Sequence, residues 1–152
     1  MEKSEQAVNT FTAGGFNCAQ SVFSTYSEHL GFDSQTALKI SCSFGGGMGH
    51  IGETCGAVTG AFMLIGLKYG QINPEDTDSK EKVYALVQEF TRQFKEQYGS
   101  VKCKDLLGCD MSTPDGLKFV KERGLTKMIC PKYVRSAARI IENLLLNENQ
   151  NS

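Results

Sequence analysis

The chain has 152 residues, enough for one domain with its own core and too many to depend on a disulfide framework for folding. Its 16 basic and 17 acidic side chains leave a formal charge of -1, which excludes a global field that would draw nucleic acid or an anionic membrane. The first residues, Met1-Glu2-Lys3-Ser4-Glu5-Gln6, carry charge where a secretory signal has its apolar core, so the expectation is a cytoplasmic protein.

Helical periodicity dominates the chain. A first helix through Ala7, Val8 and Phe11 is expected to break at Gly14-Gly15. A second, capped by Asn17, runs from Cys18 to Leu30 and stops at Gly31, and a third runs from Ser34 to about Cys42. The next begins after Thr54. It holds the most apolar stretch, Ala57 to Leu67, which is too short to span a membrane and is interrupted by Gly60 and Gly66, so it reads as a buried central helix. Gly56 and Gly60, four residues apart, leave one face almost without side chains and let another helix approach closely.

From about Ser79 to Tyr98, Val83, Leu86, Val87, Phe90 and Phe94 recur at three- and four-residue steps, a helix with one apolar face. Cys103 opens the short run Cys103-Lys104-Asp105-Leu106-Leu107. Thr113-Pro114 begins a helix that Gly124 ends. A final helix is expected from Pro131 to about Leu146, with Val134, Ala137, Ala138, Ile141, Leu144 and Leu145 on its apolar face. No segment alternates like a strand, and there is no repeat or low-complexity linker. The expected architecture is all-α, a single domain over residues 1–152 built from about six to eight helices.

Of the 6 cysteines, Cys18, Cys55, Cys103 and Cys130 share an expected helix-start position, where unsatisfied amides and the helix dipole favour thiolate over thiol. In a reducing compartment such residues are metal-binding, catalytic or plain core residues, not permanent disulfides. Cys42, at the end of an apolar helix, best suits simple core packing, and Cys109 is intermediate. There is no C-x-x-C, which disfavours a thioredoxin-type dithiol and a paired zinc knuckle, and no C-x-x-C-H for covalent haem.

Gly47-Met48-Gly49-His50-Ile51-Gly52 fits G-x-G-x-x-G, but no strand precedes it and no helix opens inside it, so a dinucleotide site is rejected. The glycines instead suggest a loop whose amides approach a sulfur, a cluster or an anion, with Gly46, Gly47 and Gly49 as candidate binding positions. His50 and Glu53 lie just before Cys55, near enough in sequence to act as base, acid or ligand, though loop residues of this kind are most often simply solvated.

Three strings, Gly15-Phe16-Asn17-Cys18-Ala19-Gln20-Ser21-Val22, Phe44-Gly45-Gly46-Gly47-Met48-Gly49 and Cys55-Gly56-Ala57-Val58-Thr59-Gly60, resemble the C_GCAxxG_C_C family of redox-active proteins. Cys103 with Leu106-Leu107-Gly108, and Cys130, continue the likeness, which spans roughly residues 7 to 145. The family's four cysteines fall on Cys18, Cys55, Cys103 and Cys130, leaving Cys42 and Cys109 as extras. That family is similar to a domain of split-Soret cytochrome c, for which an iron–sulfur site has been proposed. The resemblance thus implies a helical domain with a thiol-based redox or cluster site.

Three functional classes follow. In the first, a redox or electron-transfer protein, Cys18, Cys55, Cys103 and Cys130 converge as ligands of an iron–sulfur cluster or as redox-active disulfide pairs. In the second, the same four hold structural zinc. In the third, Cys55 is the nucleophile of a thiol oxidoreductase, with His50 beside it and a second cysteine to resolve the oxidised sulfur. A redox partner is implied whose identity the sequence does not specify, with no nucleic acid and no membrane, and the oligomeric state is equally unspecified.

Overall fold

Four helices begin on a side chain that accepts a first-turn amide, as the cap residues in the sequence dictate. Asn17 accepts from the Gln20 amide while the Gln20 side chain accepts from the Asn17 amide, a complete capping box. Asp33, Asp76 and Thr113 accept from the amides of Thr36, Ser79 and Gly116. The computed structural model describes residues 1–146. Their α-helices are α1 Lys3–Thr12, α2 Cys18–Ser27, α3 Ser34–Ser41, α4 Gly56–Tyr69, α5 Thr77–Tyr98, α6 Cys103–Leu107, α7 Pro114–Arg123 and α8 Leu125–Ile141. The four-residue segment Gly45–Met48 is a left-handed glycine turn and not a helix, because Gly46 and Gly47 both have φ of 67°. The fold is all-α with about eight helices. Among the described residues there is no strand, only an isolated bridge between Thr54 and Lys102, and no helix is long and apolar enough to cross a membrane.

Helix α4 is central, and α2 lies directly on it. A Cβ at Gly56 would sit 2.9 Å from the Ala19 amide nitrogen, and one at Gly60 would sit 2.8 Å from the Ala19 carbonyl oxygen. The two glycines therefore set the helix separation, as their four-residue spacing predicts. Around this pair, Val22, Tyr26, Leu64, Ile65, Phe90, Phe94, Val134 and Ile141 are almost wholly buried. Each large apolar side chain contributes on the order of 1.5–3 kcal/mol by leaving water. Helix α8 closes the core against α1, where Arg135 donates to Glu5 at 2.6 and 3.3 Å, and just past its end the Tyr26 hydroxyl of α2 donates to Glu142 at 2.5 Å.

One boundary differs from expectation. The last helix begins at Leu125 and ends at Ile141, with a π-type turn over Glu142–Leu146, and Pro131 lies inside it. Gly124, left-handed at φ of 61°, both ends α7 and restarts the chain at once, so the turn before Pro131 is already helical. Proline's fixed φ suits the helix, and the cost is the hydrogen bond its missing N–H would have made to the Lys127 carbonyl.

Candidate thiol site

The backbone brings two of the four cysteines together by a short antiparallel zip. The Cys55 amide donates to Val101 oxygen at 2.7 Å, the Cys103 amide to Glu53 oxygen at 2.6 Å and the Lys104 amide to Gly52 oxygen at 3.2 Å. Cys55, the cap residue of α4, thereby stands beside Cys103, the first residue of α6. Cys18 is the first residue of α2, and the packing of α2 on α4 carries it to the same place. Cys130 arrives from the second turn of α8, which corrects the expectation that it opens a helix.

All four sulfur-bearing residues line one cavity of about 690 Å3. They are buried, with 5–9% of their surface exposed. Burial pushes Cys55 up to about 12 despite the Ala57 and Val58 amides that point at its sulfur, and it pushes Cys103 up to about 11. Desolvation thus outweighs the helix-start amides, and these thiols stay protonated where the sequence suggested thiolates. Cys18 and Cys130 behave differently because they are paired. The pairing of the two thiols lowers Cys130 from the ordinary thiol value and raises Cys18 well above it. Among the four, Cys130 alone shifts downward.

The glycine loop forms part of the cavity wall, with Gly46, Gly47 and Gly49 all on it. Gly47 is the tightest position. A Cβ there would lie 2.6 Å from Cys103 Cβ and 2.8 Å from the Glu53 nitrogen, on a backbone of positive φ that disfavours any side chain. The expected nest of free amides is partly closed, because the amides of Gly49, Gly52 and Glu53 donate to the oxygens of Gly45, Gly46 and Gly47. The loop therefore acts mainly through close approach.

His50 reaches the cavity with its ring over Gly46, at a left-handed φ of 68°. Glu53 is not on the wall and serves through its backbone. Cys109 points elsewhere, its thiol 3.6 Å from Gly116 oxygen. Cys42 overturns the core-packing expectation: it is exposed and lies on the cavity rim, where the Asn17 side-chain amide donates to its carbonyl at 2.9 Å.

Sequence reasoning missed Phe16, Met111, Lys127 and Tyr133 as wall residues. Lys127 precedes Cys130 by three positions and so shares its helix face, a relationship hidden by starting that helix at Pro131. The Tyr133 hydroxyl donates to Leu106 oxygen at 2.6 Å and so holds the last turn of α6 behind Cys103.

All 6 cysteines are free thiols, and among the described residues no group of three or more His, Cys, Asp or Glu side chains is disposed to hold a single metal ion. No curated protein and no solved structure matches the chain. The sequence model of the family described as "Putative redox-active protein (C_GCAxxG_C_C)" matches residues 16–144, so the chain belongs to the C_GCAxxG_C_C family.

Proposed function

We propose that this is a thiol–disulfide redox protein in which Cys130 is the attacking sulfur and Cys18 the resolving one. The observation that carries this reading is the pairing of Cys18 and Cys130 on one cavity wall, which lowers one thiol of a buried set while the others are raised. A thiolate is the nucleophile in exchange, so charge balance favours Cys130 over Cys55 for that role. The Cys130 thiolate attacks one sulfur of a substrate disulfide, the substrate S–S bond breaks, and the first substrate thiolate leaves and takes a proton. Cys18 then loses its proton and attacks the Cys130 sulfur of the mixed disulfide, expelling the second substrate thiol. Two electrons pass from the cysteine pair to the substrate, and a dithiol donor must reduce the resulting Cys18–Cys130 disulfide. This reading takes residues 1–152 as a single helical domain of the cytoplasm, where the donor keeps the pair reduced.

A second reading rests on the gathering of four thiols around one cavity. The arrangement does not suit one zinc ion, but an iron–sulfur cluster spreads its ligands over several metal atoms and needs only four cysteines facing a common space. Cys18, Cys55, Cys103 and Cys130 would hold it, and it would supply one-electron transfer. Anaerobic purification with iron and sulfide analysis, followed by peptide mapping of the apoprotein in redox buffers, separates the two. A reversible Cys18–Cys130 disulfide in iron-free protein supports the dithiol reading. Stoichiometric iron and sulfide lost together on replacing any of the four cysteines supports the cluster, and inert thiols without iron sink both.

A further inference from the structure

The cavity is far larger than two sulfurs require, and its wall has an unusual charge. None of the residues lining it is Asp or Glu, although the chain carries 17 acidic side chains. Its charged and titratable groups other than thiols and Tyr133 are Lys127 and His50, both exposed at the mouth, while the four thiols, Met111 and Tyr133 lie buried at the floor. Phe16, 39% exposed despite its size, flanks the same mouth. The left-handed backbone continues through the non-glycine residues Met48 and His50, each at φ of 68°. Such strain persists only where the surroundings enforce it, and here it seats the His50 ring over Gly46 at the entrance.

We infer that the cavity takes a small anionic disulfide, one carrying carboxylates on short arms, and not the disulfide of a folded protein. This rests on the dithiol reading above and names its substrate class. The volume falls in the range of small-molecule sites, on the order of 300–1,000 Å3. The four cysteines at the floor each keep less than a tenth of their residue surface exposed, out of reach of a disulfide held in a rigid protein surface. A compound that enters lengthwise brings one sulfur to Cys130 while its carboxylate stays near the Lys127 ammonium, and Phe11 and Phe16 cover its methylenes. Absence of wall carboxylates means that an anion meets no like charge on the way in, which is how charge selects between partners of equal size.

Three disulfides of nearly equal length test this: dianionic 3,3′-dithiodipropionate, neutral bis(2-hydroxyethyl) disulfide and dicationic cystamine. The reduced full-length protein is mixed with each, and the rate of thiol release is divided by that of the same compound with free dithiothreitol. The expected order is anion, neutral, cation, with roughly tenfold between the first and last, and Lys127→Glu reverses it. Equal normalised rates, a leading cation, or an order that Lys127→Glu leaves unchanged overturns the inference while leaving the dithiol reading in place. Calorimetric binding of the same three compounds to Cys18→Ser/Cys130→Ser protein gives an independent arm. Preferential binding of the dianion there sustains the inference even if no probe is reduced, which would sink the dithiol reading alone, and absence of that preference overturns it.

Discussion

Cys18 and Cys130 are paired across the junction of α2 and α8, on the wall of one cavity, and the pairing shifts the two thiols in opposite directions, Cys18 up and Cys130 down. The pair is formed by elements 112 positions apart in sequence, counted from 18 to 130. Removing Cys18 should return Cys130 to an ordinary or raised value, since burial opposes its ionisation. Cys18→Ala is therefore expected to slow alkylation of Cys130 near neutral pH by roughly tenfold for each pKa unit regained. Cys18→Ser, whose hydroxyl can still donate, should recover part of the rate. Peptide mapping by mass spectrometry is needed because exposed Cys42 will be labelled readily. Identical Cys130 rates in wild type and Cys18→Ala would remove the basis for assigning the nucleophile.

Gly47 and Gly66 make opposite predictions for the same substitution. At Gly47, a methyl group meets Cys103 Cβ and the Glu53 backbone on a positive-φ residue, so Gly47→Ala should cost on the order of 1–3 kcal/mol and alter Cys103 reactivity. At Gly66, inside α4, nothing lies within 4 Å, and Gly66→Ala should stabilise by roughly 0.5–1 kcal/mol through backbone entropy. Urea unfolding of both variants measures this; a Gly47→Ala protein as stable as wild type would show that the loop yields easily.

Cys55 makes the fold sensitive to alkali. Its proton is held more tightly in the folded state, about 12, than at the ordinary value of 9.0. The stability it contributes is fully present below the unfolded value and is lost as pH rises from there towards the folded one. The loss approaches roughly 1.4 kcal/mol per pH unit in that window. Cys103 acts in the same direction, so wild type should weaken above about pH 9 and Cys55→Ser should weaken less steeply. Parallel slopes of unfolding free energy against pH, measured under reducing conditions, would contradict the assignment.

Tyr133 braces α6 through its bond to Leu106 oxygen, one of the carbonyls a helix end cannot satisfy by itself. Tyr133→Phe leaves that buried acceptor unpaired, at a cost of about 1–2 kcal/mol. Because α6 has only five residues and carries Cys103 at its start, the variant should also label faster at Cys103 than wild type. Faster labelling without destabilisation would mean that the hydroxyl shields the thiol and does not brace the helix.

Local chemistry made much of the fold legible. Asn17, Asp33 and Thr113 cap helices because their side-chain oxygens meet first-turn amides wherever the rest of the chain goes. Gly56 and Gly60 announced a close helix contact because the missing Cβ atoms are a property of the residues themselves. The four cysteines were singled out by position and by family likeness, and all four line one cavity. Pro131 misled, since proline fits a second turn once Gly124 has allowed the helix to start early, and this concealed Lys127 on the face of Cys130.

What the sequence determined alone was therefore the helical content, most of the caps, a close helix approach at Gly56 and Gly60, and the set of residues carrying sulfur. The direction in which each thiol shifts was decided by tertiary structure, because burial outweighs the backbone amides at Cys55 while the Cys18 partner, and after it Lys132, lowers Cys130. The exposure of Cys42, the seat of Cys103 against Gly47 and the acid-free wall of the cavity belong to the same class. Each depends on which distant groups share a space and how much water reaches them, quantities set by how the helices pack and not by any segment read in isolation.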